Sequence, residues 1–241
     1  MTTLLALDGV SKSYGSLTVI DNLTIGIADG EALGIIGPNG AGKTTMFNLI
    51  SGSVAPGSGR VHFRGENISG WDSARRCRAG IGRTYQVPHP FGRMTVFENV
   101  LVGATFGAGH SERAGTERAL DVLDRTGLAA KADRLAGALP LLDRKRLELA
   151  RALATEPKLL LLDEIAGGLT EHEVQELIAI IRGIMAGGIA IIWIEHIVHA
   201  LLAVVNRIAV INFGKLLAAG NPDDVMANAE VRDVYLGVEA A

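Results

Sequence analysis

The 241-residue chain predicts an α/β fold, with a mostly parallel core sheet and an inserted helical block. Three observations predict it. Apolar runs of strand length recur around Leu33–Ile36, Leu159–Leu162 and Ile189–Ile194, and strands buried on both faces of a parallel sheet read as continuous apolar runs. Segments with helical spacing alternate with these runs, the pattern of a parallel sheet with crossover helices. The first run ends abruptly in a glycine-rich turn that leads into a helical segment, Thr45–Ile50.

Leu5–Val10 and Leu23–Ile27 read as short strands separated by the turn formers Gly15 and Asp21-Asn22. Val61-His62-Phe63 with Gly65 adds another strand and turn. From Trp71 to Ala154 arginine, alanine, leucine and glutamate dominate, and Leu120, Leu123 and Leu128 fall at helical spacing. That stretch reads as a largely helical insertion. Strand character returns at Lys158–Leu162, followed by a helix over Glu171–Met185, the strand Ile189–Ile194 and a further helix. Ile208–Asn212 and Leu216–Ala219 flank Gly214 as a hairpin. Asn221-Pro222-Asp223-Asp224 opens a short helix, with proline first and acids in the first turn.

With 48% hydrophobic residues the chain raises the question of membrane insertion. Gly183 to Asn206 is long enough for the ~20 residues that cross a bilayer. Glu195, His196 and His199 lie near its middle, however, and Gly187-Gly188 interrupts its first half. An unpaired central carboxylate costs about 2.5–3.5 kcal/mol on insertion, so a buried strand followed by a helix is the better reading. The N-terminus has neither the basic nor the long apolar region of a signal peptide. A single cysteine, Cys77, permits no disulfide framework. These features predict a cytoplasmic protein. A net charge of −3 argues against a nucleic-acid binder. The basic clusters Arg75-Arg76-x-Arg78 and Arg144-Lys145-Arg146 read as solvated helical faces.

The glycine-rich turn Gly37-Pro38-Asn39-Gly40-Ala41-Gly42-Lys43-Thr44 fits G-x-x-x-x-G-K-[ST] in full, between an apolar strand and a helical run. Glycines let backbone N–H groups point inward around a phosphate, and the helix N-terminus adds partial positive charge. Lys43 can reach β- and γ-phosphates, and the Thr44 hydroxyl can ligate Mg²⁺. Thr45 continues the loop into its helix. The second half of such a site is a strand ending in a carboxylate, and Leu159-Leu160-Leu161-Leu162-Asp163-Glu164 supplies it. Asp163 would hold Mg²⁺ through water, and Glu164 would polarise an attacking water. A nucleoside triphosphate and Mg²⁺ are the implied ligands, and the fold becomes that of a P-loop NTPase.

Together these residues resemble an ABC-transporter ATPase subunit, over nearly the whole chain from Leu4 to Gly237. The resemblance implies a RecA-like core over about 1–84 and 156–241, with its N-terminal antiparallel β-subdomain, and a helical subdomain over about 85–155. Tyr14, in Ser11-Lys12-Ser13-Tyr14-Gly15, matches the aromatic that stacks on adenine. Gln86, in Arg83-Thr84-Tyr85-Gln86, matches the glutamine that reaches metal and attacking water. His196, in Ile194-Glu195-His196, matches the histidine that contacts the γ-phosphate. His199 invites a metal pair with His196, but no third ligand stands at a sensible spacing. Implied partners are a second ATPase subunit, transmembrane permeases and, indirectly, a periplasmic solute-binding protein, with the chain peripheral on the inner membrane face. A groove around Gln86 to Phe97 would receive a short helix from a permease, with Phe91, Met94 and Phe97 as candidate contacts. Within the family, Arg-Thr-Tyr-Gln, Ile-Glu-His and the ending Val231–Gly237 look like the branched-chain amino-acid import subgroup. Lipopolysaccharide exporters share the Tyr-Leu-Gly ending. A soluble ABC ATPase would carry paired cassettes or a long coiled-coil insertion. A kinase or GTPase would leave the Gln86 and His196 strings unexplained.

One segment departs from the family pattern. Where ABC ATPases carry Leu-Ser-Gly-Gly-Gln or a near variant, this chain has Leu139-Pro140-Leu141-Leu142-Asp143. The usual segment offers a serine hydroxyl and glycine amides to ATP held by the opposite subunit. Pro140 has neither hydroxyl nor N–H, Leu141 and Leu142 add bulk, and Asp143 is expected to place negative charge near the phosphates. The expected consequence is an asymmetric heterodimer with one working and one degenerate composite site.

Overall fold

The computed structural model describes the backbone of residues 2–239 and side chains as far as Val234. The side chains of the Tyr-Leu-Gly ending, from Tyr235 on, lie outside that range. The chain begins with a long antiparallel pair, β1 (Thr3–Tyr14) and β2 (Leu17–Ala28). Both outrun the short strands expected, because register shifts along the pair break the period-two pattern that marks a strand in sequence. β3 (Ala32–Ile36) runs into α1 (Lys43–Ser51), and β4 (Ser58–Phe63) and β5 (Glu66–Asn67) complete a four-stranded sheet ordered β2-β1-β4-β5.

After α2 (Ser73–Ala79) comes β6 (Ile81–Arg83). Then follow α3 (Val96–Val102), a π-helical turn at Gly103–Gly107, α4 (Glu112–Arg125) and α5 (Leu141–Ala154). The chain returns through β7 (Leu159–Asp163), α6 (Glu171–Ala186), β8 (Ala190–Ile194) and α7 (Val198–Leu202). It ends in the hairpin β9 (Arg207–Asn212) and β10 (Lys215–Gly220), then α8 (Pro222–Ala227) and α9 (Ala229–Glu239). The second sheet is ordered β10-β9-β3-β8-β7-β6 and is parallel except for the β9–β10 hairpin.

Alternation along the buried strands divides the core in two. Ile36, Leu160, Leu162, Ile191 and Trp193 face α3 to α6, whereas Leu33, Ile35, Leu159, Leu161 and Ile192 face α1 and the antiparallel sheet. Two helices start on reciprocal caps, Thr95 with Glu98 for α3 and Thr170 with Glu173 for α6. The second of these sets where the loop after Glu164 ends. Residues 183–206 divide among the end of α6, β8 and α7, and among the described residues no helix is long and apolar enough to cross a membrane.

Two sequence readings need correction. The helical block does not begin at Trp71: α2 leads back to β6, which pairs in parallel with β7 at the sheet edge. β6 is Ile-Gly-Arg, too short and too polar to carry a strand pattern. Nor is the Arg75–Arg78 cluster solvated throughout. Arg76 is fully buried and donates to the carbonyls of Leu49 (2.6 Å) and Ile50 (3.0 Å) in the last turn of α1, and to those of Ser69 and Trp71. The Leu49 and Ile50 carbonyls end a helix and lack intrahelical donors, which gives a buried cation its purpose. Burial lowers the Arg76 pKa to about 10.

Candidate nucleotide site

β3 is buried along its whole length and delivers the chain to Gly37 at the carboxyl edge of the sheet. Gly37 takes φ +152°, and a Cβ there would sit 2.1 Å from the carbonyl oxygen of Ile211. Gly42 starts α1 at φ +102°, where a Cβ would meet the Val19 carbonyl oxygen at 2.7 Å. Both positions demand glycine, for backbone conformation and for close approach. α1 has no side-chain cap and no acid in its first turn. Its positive end is therefore left to an anion from outside the chain. A cleft lined by Val19, Asn39 to Thr45 and Glu164 lies over it.

Lys43 is 6% exposed and lays its ammonium on the loop, donating to the carbonyls of Gly37 (2.6 Å) and Pro38 (2.9 Å). Burial lowers its pKa, and Glu164 and Asp163 oppose that shift. Thr44 is exposed. Asp163 ends the buried strand β7 and accepts from Arg83 Nη2 at 3.0 Å, while its own N–H donates to Thr84 Oγ1 at 3.2 Å. Burial pushes the Asp163 carboxyl up, and the Arg83 hydrogen bond and charge pull it back.

Glu164 leaves the strand at φ +47°, in the left-handed region, held by its N–H to the Ile194 carbonyl (2.9 Å). One carboxylate oxygen accepts from Gln86 Nε2, and the other lies 2.9 Å from His196 Nε2. Gln86, Glu164 and His196, far apart in sequence, thus form one contact set that borders the phosphate loop. Tyr14 does not line the cleft. It ends β1 half-exposed, with Lys12 Nζ 5.4 Å from its ring centroid. His199 turns to Glu171 at 3.1 Å rather than to His196. Phe97 packs against the core, whereas Phe91 is exposed beneath the Arg151 guanidinium.

Three side chains at the site carry roles that sequence reasoning did not assign. Arg83 was visible only as part of a family string, yet it braces Asp163 and also donates to Asn48 Oδ1 (2.7 Å) and Ser51 Oγ (3.1 Å) on α1. Glu195, 2% exposed, accepts from the N–H of Ala166 (3.1 Å) and of His196 (3.1 Å) and from the Trp193 indole (3.2 Å). It ties the loop after Glu164 to the strand end that carries His196. Lys145, read as solvated, is 3% exposed and points inward. Charge in an amphipathic helix looks like a solvent face in sequence unless the inward position is known independently.

The Leu139–Asp143 segment begins α5. Pro140 stands at its N-cap, with no side-chain cap, and Leu141 is exposed and lines a groove with Gln86, Val87 and Glu164. Asp143 departs from expectation. Its carboxylate is 2% exposed and paired with Lys131 (2.5 Å) and Arg146 (3.8 Å), so it faces the protein and not a phosphate.

The donor set suits nucleotide phosphates and a hydrated cation. Among the described residues no group of three or more His, Cys, Asp or Glu could hold a metal unaided. Mg²⁺ keeps several waters and takes few protein oxygens, and the Thr44 hydroxyl and Asp163 carboxylate are donors of that kind.

Comparisons with known proteins agree with the geometry. The profile of the ABC transporter family matches residues 20–167, and that of the branched-chain amino acid ATP-binding cassette transporters matches residues 215–241. The chain is 34% identical to the high-affinity branched-chain amino acid transport ATP-binding protein LivG of Salmonella typhimurium, over 97% of this chain and 98% of that one. Identity to the corresponding protein BraF of Pseudomonas aeruginosa is also 34%, with the same coverage. The lipopolysaccharide export ATP-binding protein LptB of Acidithiobacillus ferridurans is 36% identical over 98% of each chain. Among solved structures, an ATP-binding cassette of an ABC transporter in its ADP conformation superposes with a TM-score of 0.89 at 30% identity, covering 98% of this chain and all of that one. The chain belongs to the ABC transporter family, as an ATP-binding subunit. It is an ATPase, and it resembles the branched-chain amino-acid importer type.

Proposed function

We propose that the chain hydrolyses ATP to drive import of branched-chain amino acids or related small polar solutes, from the inner face of the membrane. The observation that carries this reading is the match of residues 215–241 to the branched-chain cassette profile, beside full-length likeness to LivG and BraF. Permease subunits would dock on the groove near Gln86 to Phe97, and a periplasmic binding protein would deliver the solute to them.

Within the site, Gly37 to Thr45 would cradle the phosphates, with Lys43 on the β- and γ-oxygens and Tyr14 against the adenine. Thr44, Gln86 and Asp163, the last through water, would hold Mg²⁺, which supplies charge neutralisation when bound. Glu164 would take the proton from a water attacking the γ-phosphorus as the bond to ADP breaks. Gln86 and His196, already on its two oxygens, would orient it. The Leu139–Asp143 segment supports an asymmetric ATPase heterodimer: Pro140 brings no hydroxyl and no N–H, and leucines replace the glycines beside it. A homodimer that tolerates the variant is the competing form.

A second reading, lipopolysaccharide-type export, rests on the likeness to LptB. Uptake of radiolabelled leucine, isoleucine and valine by cells with and without the gene separates the two. Loss of uptake on deletion is expected. Unchanged uptake with an outer-membrane lipid defect would favour export.

A further inference from the structure

Lys145 lies on α5, within the helical block, and its side chain crosses to the core. Its ammonium donates to the backbone carbonyl of Gln86 at 2.9 Å and to that of Glu164 at 3.2 Å. Among the described residues it has no carboxylate within ion-pair distance. Its hydrogen bonds go to these two carbonyls, and the carboxylates of Glu195, Glu164, Asp163 and Glu148 offset the burial of its charge from further away. The two residues it grips are the two whose side chains meet, Gln86 Nε2 on the Glu164 carboxylate. Glu164 sits at a left-handed φ that a non-glycine residue keeps only when its surroundings fix it. Its N–H is fixed by β8 through Ile194, and its carbonyl is fixed by Lys145 and the N–H of Gly167.

We infer that Lys145 is a positioning residue for ATP hydrolysis: its ammonium clamps the backbone of Gln86 and Glu164 together, so that the helical block sets where the Glu164 carboxylate lies. A rotation of α5 against the sheet would then move both groups at once. This rests on the reading of Glu164 as the group that activates water.

The test compares wild type, K145M, K145R and E164Q in the assembled transporter in proteoliposomes, with Mg²⁺ and ATP as probe. K145M is expected to lower kcat about 10–100-fold, the scale of a displaced reacting group, with KM for ATP within about threefold of wild type. K145R, which keeps a charged donor, is expected to restore most of kcat. If K145M does not assemble, K145Q takes its place, with kcat ordered wild type, Arg, Gln at flat KM. A kcat for K145M or K145Q within about twofold of wild type overturns the inference. So does K145R no better than the neutral variant, which would mark a merely structural role. E164Q separates the two levels: full turnover there removes Glu164 itself, whereas a dead E164Q beside an unaffected K145M removes only the clamp.

Discussion

Two helices of this chain begin at places where the family meets phosphate, and they are built on opposite terms. α1 starts on Gly42, in a left-handed conformation, with no side-chain cap and no acid in its first turn, and its first residues line the cleft. α5 starts on Pro140, also without a side-chain cap, but with exposed Leu141 beside it and Asp143 in its first turn. Both helix ends carry the same partial positive charge. What differs is access. The phosphate loop keeps its turns free of bulk with glycine, and the Lys43 ammonium rests on the loop carbonyls of Gly37 and Pro38. The α5 start fills the space with leucine and turns its one acid inward onto Lys131 and Arg146. A helix N-terminus alone is therefore not an anion site. The backbone around it must permit approach.

The comparison makes predictions of graded size. The largest concerns the α1 side: E164Q in the assembled transporter should keep ATP binding and lower turnover about 10²–10⁴-fold, the range for loss of a general base. Phosphate-release and nucleotide-binding assays read the two separately, and undiminished turnover would take Glu164 out of the chemistry. A smaller effect is expected from repairing the α5 side. The triple change P140S/L141G/L142G returns a hydroxyl and close-approach amides, and should raise turnover by the isolated chain about tenfold or more. No increase, in a variant that still folds, would place the defect elsewhere than in this segment.

The smallest effect concerns the strut behind the working side. Burial raises the Glu195 carboxyl above its usual pKa of 4.5, against its hydrogen bonds to Ala166, His196, Ile197 and Trp193. The unfolded chain then ionises first as pH rises, and the neutral form favours folding. That contribution is present at low pH and is lost as pH climbs from 4.5 through the folded pKa. E195Q has no such titration. The unfolding temperature of wild type minus that of E195Q should fall as pH rises from 4.5 to 8. A constant difference would mean that folding leaves the Glu195 pKa at its unfolded value.

The two regions also differ in how far the sequence discloses them. The phosphate loop and the Asp163-Glu164 strand end are legible because their chemistry is local: glycines, lysine and carboxylates stand at fixed spacing beside apolar runs. The bracing of that site is not local. Arg83 reaches Asp163 across 80 positions, Lys145 reaches Gln86 across 59, and Glu195 reaches Ala166 across 29. A buried arginine, lysine or glutamate with a distant partner looks, in sequence, like any surface charge. The same blindness produced the expectation that Asp143 faces phosphate. Its partner Lys131 lies across a loop whose path no spacing rule gives. β6 was missed for a related reason, since its strand identity comes from pairing with β7 and not from its three residues.

On the reading proposed above, the α1 side of this chain is a competent half-site and the Leu139–Asp143 side serves a partner's ATP poorly. ATP turnover by the purified chain, measured against protein concentration, tests it most directly. The expected result is a slow rate per molecule that stays flat as concentration rises, and a large increase when a second ATPase subunit with an intact Leu-Ser-Gly-Gly-Gln-type segment is added. Fast, cooperative hydrolysis by the chain alone, growing steeply with its own concentration, would contradict it.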